Sequence, residues 1–197
     1  TTGGDQEICE GNSVQLKSMG NNITSYQWSP ATDLSNSLIA DPVASPSQTT
    51  LYILQVANID CRVYDYVLVT VNVNPSANAG SDKVIIKGQS ATLDGSAGGT
   101  DVKYLWTPGN NITGNTSLTP VVNPSSSQMY VLNVFSDKDC ATARDSVLVK
   151  VYQQLFVPDA FTPNGDGIND TWFIETLKAY PGAEVKVFNR LGQKRSE

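Results

Sequence analysis

The sequence predicts an all-β chain of two tandem β-sandwiches followed by an unfinished set of strands. Three observations lead there. Only 16% of the 197 residues are charged, while Val, Thr, Ser, Asn, Gly and Pro are frequent, the composition of short strands joined by tight turns. The chain also repeats itself: Tyr26-Gln27-Trp28-Ser29-Pro30 returns 78 residues later as Tyr104-Leu105-Trp106-Thr107-Pro108. Finally, apolar residues alternate, with Val67, Val69 and Val71 set for one face of a strand and Leu68, Thr70 and Asn72 for the other. No run has the spacing of a long amphipathic helix.

Taken in order, residues 1–75 form the first repeat and 76–153 the second. Gly11 to Leu16 returns as Gly88 to Leu93, Leu51 to Val56 as Met129 to Val134, and Asp65 with Val67-Leu68-Val69 as Asp145 with Val147-Leu148-Val149. The drift between copies falls in loops, as expected of a duplicated module. Five to seven strands are expected per copy, with turns at Gly11, Gly20-Asn21, Ser29-Pro30, Asp41-Pro42 and Asn58 to Asp60, which describes an immunoglobulin-like sandwich. Trp28 and Trp106 are expected to fill the space between sheets rather than to stack on a ligand. The connections Asn74 to Gly80 and Tyr152 to Gln154 are short and predict stiff spacing.

Three cysteines suit an exported chain better than a cytosolic enzyme. Cys9 and Cys61 lie near the starts of two strands that neighbour each other in such sandwiches, and a disulfide between them is expected. It would contribute about 4 kcal/mol in the chain-entropy model. Cys140 matches Cys61, but the counterpart of Cys9 is Ile86, so Cys140 is expected to be a free thiol.

Residues 154–197 differ. Leu155, Phe156 and Val157 read as a short strand, followed by a loop rich in Pro, Asn, Gly and Asp and a second apolar stretch at Trp172, Phe173 and Ile174. The sorting motif formed by Pro158, Phe161, Pro163, Asn164, Gly165, Asp166, Gly167, Asn169 and Asp170, continued by Glu184 to Gly192, resembles the opening of the type B C-terminal sorting domain of the type IX secretion system. That family is also called the gliding-motility-associated C-terminal domain. The resemblance implies export to the cell surface or the extracellular space, with the type IX translocon and outer-membrane partner proteins as partners. The family's later Trp-Asp-Gly strand and closing strands have no counterpart, so an incomplete β-sandwich sorting domain of about three strands is expected. The two repeats, through Cys9-Glu10-Gly11 and Tyr-x-Trp-Ser-Pro, resemble the PKD-like and immunoglobulin-like modules of Bacteroidetes surface proteins, without the Trp-Asp-Phe-Gly-Asp-Gly signature of a strict PKD domain.

Chemistry is restricted. The chain has no histidine, which removes Ser-His-Asp and Cys-His catalysis and the usual zinc sites, so no enzyme and no required cofactor are expected. Glu7, Glu10, Asp137 and Asp139 read as solvated turn residues. One constellation suits a hard cation: Asn164, Asp166, the Ile168 carbonyl, Asp170 and Glu175 follow the spacing of a Ca²⁺ loop. A metal-free Asx turn fits the same residues, and both readings stay open. A formal charge of −6 without an extended basic patch argues against nucleic acid. No apolar run is long enough to span a bilayer, and Thr1 to Gly4 is no signal peptide. Sequons at Asn22, Asn111, Asn115 and Asn169 are weak signals, and Asp145-Ser146-Val147 resembles a short O-glycosylation motif of Bacteroidetes. Tyr64 and Tyr66, beside Asp65, mark a candidate surface for a glycan or protein ligand.

Overall fold

The structure, a computed structural model, describes all residues except 60, 159, 169, 181, 189, 190, 196 and 197. Asp60 of the expected turn, Asn169 of the sorting motif, and Asn189 and Arg190 of the motif's continuation lie outside the described residues. By compactness the chain divides into two units that are not the repeats. The first comprises residues 1–78, 96–105 and 133–144, and the second residues 79–95, 106–132 and 145–197.

The first repeat supplies β1 (Gln6–Cys9), β2 (Val14–Gln15), β3 (Ser25–Ser29), β4 (Val43–Ala44), β5 (Thr50–Ala57) and β6 (Arg62–Asn72). One sheet runs β1-β6-β5-β3, and β2 pairs with β4 opposite it. The long hairpin β5–β6 is antiparallel, whereas β1 joins β6 in parallel, with Gln6 opposite Val69 and Cys9 opposite Asn72. The alternation in β6 does what its sequence predicts: Val67, Val69 and Val71 are buried and join Ile8, Leu16, Trp28, Ala44, Tyr52 and Leu54 in one core. Trp28 plugs that core, and burial obliges its indole N–H to find a partner, the Ile39 carbonyl at 3.1 Å.

The second repeat follows the same plan. After β7 (Ser76–Asn78) come β8 (Lys83–Ile86), β9 (Ala91–Thr92), β10 (Ser96–Gly98), β11 (Val102–Thr107), β12 (Ile112–Thr113), β13 (Val121–Val122), β14 (Gln128–Ser136) and β15 (Thr142–Tyr152). Its sheets are ordered β11-β14-β15-β8 and β12-β13-β9. The first strand again runs parallel to the last, Ile86 opposite Tyr152. Trp106 is fully buried and donates to the Ser117 carbonyl at 2.9 Å, the duplicate of the Trp28 bond.

The expected disulfide is corrected. Cys9 bonds Cys140, with Cα atoms 5.3 Å apart across 131 residues of sequence, and Cys61 is the free, exposed thiol. Register is the cause. Cys9 ends β1 beside Asn72, the last residue of β6. Cys61 sits in the β5–β6 turn, where its N–H meets the Asn58 side chain at 2.8 Å and its carbonyl accepts from Asn58 N–H at 3.0 Å. The eleven residues of β6 separate the two positions, about 35 Å at the strand rise, whereas a disulfide requires Cα atoms within roughly 7 Å.

Around the Cys9–Cys140 bond the first unit gathers polar contacts. Glu7 on β1 accepts from the Asn72 amide at 2.8 Å and pairs with Lys138 at 2.9 Å. The Asn72 amide, then Lys138, holds the Glu7 carboxyl below its usual range, and Glu7 in turn raises Lys138. Asp137 pairs with Lys103 at 2.8 Å. Val73 N–H donates to the Thr100 hydroxyl at 2.9 Å, and Thr100 N–H returns to the Val73 carbonyl at 3.1 Å. Glu7 and Asp137, read from sequence as solvated turn residues, stay exposed and each pairs with a lysine, Glu7 from β1 and Asp137 from a turn.

Candidate functional site

The segment from Leu155 onward belongs to the second unit and is the part that the sequence marks for recognition. It holds less regular structure than expected. Among the described residues Leu155 to Val157 belong to no strand. Side chains satisfy the backbone instead: the Phe156 carbonyl accepts from the Thr176 hydroxyl at 3.0 Å and the Pro158 carbonyl from the Trp172 indole at 2.7 Å. Just after the apolar stretch Trp172 to Ile174, Glu175–Ala179 forms one 3₁₀ turn. Among the described residues the segment's only strands are β16 (Val187–Phe188) and β17 (Lys194–Arg195), paired antiparallel.

One contact closes this segment on itself and another ties it to β15. Thr176 is buried with its hydroxyl committed to Phe156, and Ile174, two residues earlier, is buried as well. Glu175 pairs with Lys150 of β15 at 2.8 Å and accepts from the Tyr152 hydroxyl. The Lys150 ammonium, followed by that hydroxyl, holds the Glu175 carboxyl below the usual glutamate range.

The loop itself is closed by its own acids. One carboxylate oxygen of Asp170 accepts from the backbone N–H groups of Asn164 (2.9 Å) and Gly165 (2.7 Å), and the other from Gly167 N–H (2.7 Å). Asp166 accepts from Ile168 N–H at 2.7 Å and from the Asn164 amide at 2.8 Å. Gly165 and Gly167 have φ of 78° and 82°, the left-handed region that side chains disfavour, which is why glycines alternate here. The N–H donors, led by Gly165 for Asp170 and Ile168 for Asp166, lower both carboxyl pKa values.

The calcium constellation is only partly brought together. Asn164, Asp166, Ile168 and Asp170 share the loop, but the Ile168 carbonyl faces the Thr162 hydroxyl at 3.4 Å and Glu175 is committed to Lys150 and Tyr152. Spacing alone placed Glu175 among the ligands; the 3₁₀ turn aims it elsewhere, and that assignment is corrected. No group of three or more acidic or cysteine side chains suited to a metal exists among the described residues.

What the loop does present is apolar. Phe156, Phe161, Ile168 and Phe173 are all exposed. A cleft of about 720 Å³ opens among Leu155, Val157, Trp172, Ile174, Tyr180 and Val185. Sequence reasoning missed this cleft; the unpaired apolar stretch at Leu155 to Val157 was its available signal. Such a surface can recognise a protein through apolar contact and exposed backbone groups, while its acids are occupied in holding the turn.

Comparison with known proteins agrees with this geometry. Residues 155–195 match the family model described as the CHU_C Type IX secretion signal domain, and a signal of that kind implies export to the cell surface or extracellular space. No curated protein matches the sequence. Among solved structures, the three-domain titin fragment I67-I69 in an E-to-A variant superposes with a TM-score of 0.56 at 13% identity, covering 75% of this chain and 62% of the fragment. The insect immune protein hemolin gives 0.51 at 14% identity, covering 77% of this chain and 46% of its own. Domains 3–5 of Drosophila OTK give 0.50 at 12%, with 75% and 59% covered. The chain thus spans 62% or less of these relatives, and at such identities the likeness establishes tandem immunoglobulin-like sandwiches and nothing further. Among the described residues no helix is long and apolar enough to cross a membrane.

Proposed function

We propose that the chain is the C-terminal region of an exported surface protein or adhesin, in which two sandwich modules act as spacers and the segment from Leu155 is the address read by the type IX translocon and its outer-membrane partner proteins. The setting is gliding or adhesion in a Bacteroidetes cell. The match of residues 155–195 to a secretion signal carries this reading. The exposed apolar side chains and self-closed loop support recognition of a surface rather than catalysis, in keeping with a chain that has no histidine. An inert reporter fused ahead of residues 155–197, with whatever the gene encodes after them, is expected to reach the cell surface in a strain with a functional type IX system. Retention of the reporter in the periplasm overturns the proposal.

A second reading assigns ligand binding to the first module. On the outer face of its main sheet Tyr64 and Tyr66 stand exposed, with the Tyr64 hydroxyl donating to Gln55 at 2.9 Å. The equivalent positions in the second module are Arg144 and Ser146, so the tyrosines are not required by the fold. Glycan-array binding by the chain, lost in Tyr64→Ala with Tyr66→Ala, is the outcome this reading expects.

A further inference from the structure

The duplicated modules carry one cysteine at the same place. Cys61 lies in the turn between β5 and β6, and Cys140 in the turn between the equivalent strands β14 and β15. Within the first unit Cys140 is bonded to Cys9, which closes the first strand of the module before it. The pairing therefore joins the turn cysteine of one module to the first-strand cysteine of its predecessor. The register identifies the second module's counterpart of Cys9 independently: Cys9 stands opposite Asn72 and Ile86 opposite Tyr152. That module has no cysteine at the position, and the segment after it, residues 154–197, has none to bond.

The turn cysteine left over is Cys61. Its own module offers no partner, because Cys9 is at the far end of β6 and already bonded. Beside it in the turn Ile59 is 93% exposed, an apolar side chain held fully in solvent. In the second module the corresponding turn instead contributes Lys138 to Glu7 at 2.9 Å and Cys140 to Cys9.

We propose that Cys61 is an intermodular cysteine: in the exported protein it is bonded to a cysteine that closes the first strand of a further sandwich module of this kind, encoded upstream. The inference rests on the spacer reading and extends it to a stapled array. Forming the bond joins two Sγ atoms, breaks two S–H bonds and releases two protons and two electrons. The electrons reduce the disulfide of a thiol–disulfide oxidoreductase to its dithiol, the same class of oxidant that the Cys9–Cys140 bond requires. Exchange proceeds through a mixed disulfide, for which an exposed thiol such as Cys61 is accessible.

The test is disulfide mapping of the mature protein taken from the surface of producing cells. Free thiols are blocked with iodoacetamide before any reduction, and the unreduced digest is read by mass spectrometry. The Cys61 peptide is expected to be missing from the alkylated pool and to be linked to a peptide from upstream of Thr1 whose cysteine ends a first strand. In a Cys61→Ser variant that upstream cysteine becomes alkylated, while Cys9–Cys140 persists. Quantitative alkylation of Cys61, linkage to Cys61 of a second copy, or linkage to Cys9 or Cys140 overturns the inference. Any of these leaves the export reading untouched, since that reading fails only through the reporter.

Discussion

The two modules share their interior and differ at their periphery. Trp28 and Trp106 make the same indole bond, to Ile39 and Ser117. Tyr52 and Tyr130 donate their hydroxyls to the carbonyls of Thr32 and Asn111. Asp65 and Asp145 each accept a backbone N–H from the entering chain, Thr2 at 2.6 Å and Ala79 at 2.8 Å. Asp5 and Asp82 each accept from the last strand, Leu68 and Leu148, at 2.9 Å. Against this, Cys9 corresponds to Ile86 in the second copy, and Tyr64 and Tyr66 correspond to Arg144 and Ser146. What a duplication retains is what closes the sandwich; what diverges concerns connection and display.

The most severe way to break the equivalence is through its tryptophans. Trp28→Ala and Trp106→Ala are each expected to cost about 3–5 kcal/mol, the range for emptying a large buried aromatic site, and to lower the melting transition of the altered module by comparable amounts in calorimetry. A mutant that melts like the parent would show that its indole is not a core plug. Next comes the staple. Removing it by Cys9→Ser or Cys140→Ser is expected to cost about 2–5 kcal/mol, whereas Cys61→Ser in the isolated chain should stay within about 0.5 kcal/mol. A loss on Cys61→Ser with none on Cys140→Ser would mean that Cys61, not Cys140, holds Cys9.

These contrasts also mark how far the sequence could be read. Repetition and alternation were enough to place Trp28, Trp106 and the buried valines of β6, because a period of two determines which side chains face inward. The cysteine pairing was not legible. Spacing along the chain does not reveal that β1 runs parallel to β6, and that register carries Cys9 to the end of β6 remote from Cys61. In the tail the motif from Pro158 to Asp170 could be recognised, yet the strand expected at Leu155 to Val157 did not form. A strand is a pairing rather than a property of three apolar residues, and Trp172 and Thr176 side chains took the backbone acceptors a neighbour would have used. Glu175 fitted a twelve-residue calcium spacing by number alone; its 3₁₀ turn directs it to Lys150 and Tyr152.

The smallest effect tests the most finely conserved part of the comparison. Asp65 and Asp145 both have lowered carboxyl pKa values, chiefly because backbone N–H groups, of Thr2 and Ala79 respectively, donate to the ionised form. A depressed folded value means that the stabilisation is fully present above the ordinary aspartate value of 3.8 and is lost as the pH falls through the folded value. Asp65→Asn and Asp145→Asn should therefore lower Tm modestly at pH 7, and the gap to the parent should narrow below about pH 4. Both groups are solvent-accessible, so solvent screening keeps their effect on stability modest. A gap that is the same at pH 2.5 and pH 7 would mean that the substitutions disturb packing rather than the charged clasp. A gap in only one module would mean that the duplicated hydrogen bond has come to do different work in the two copies.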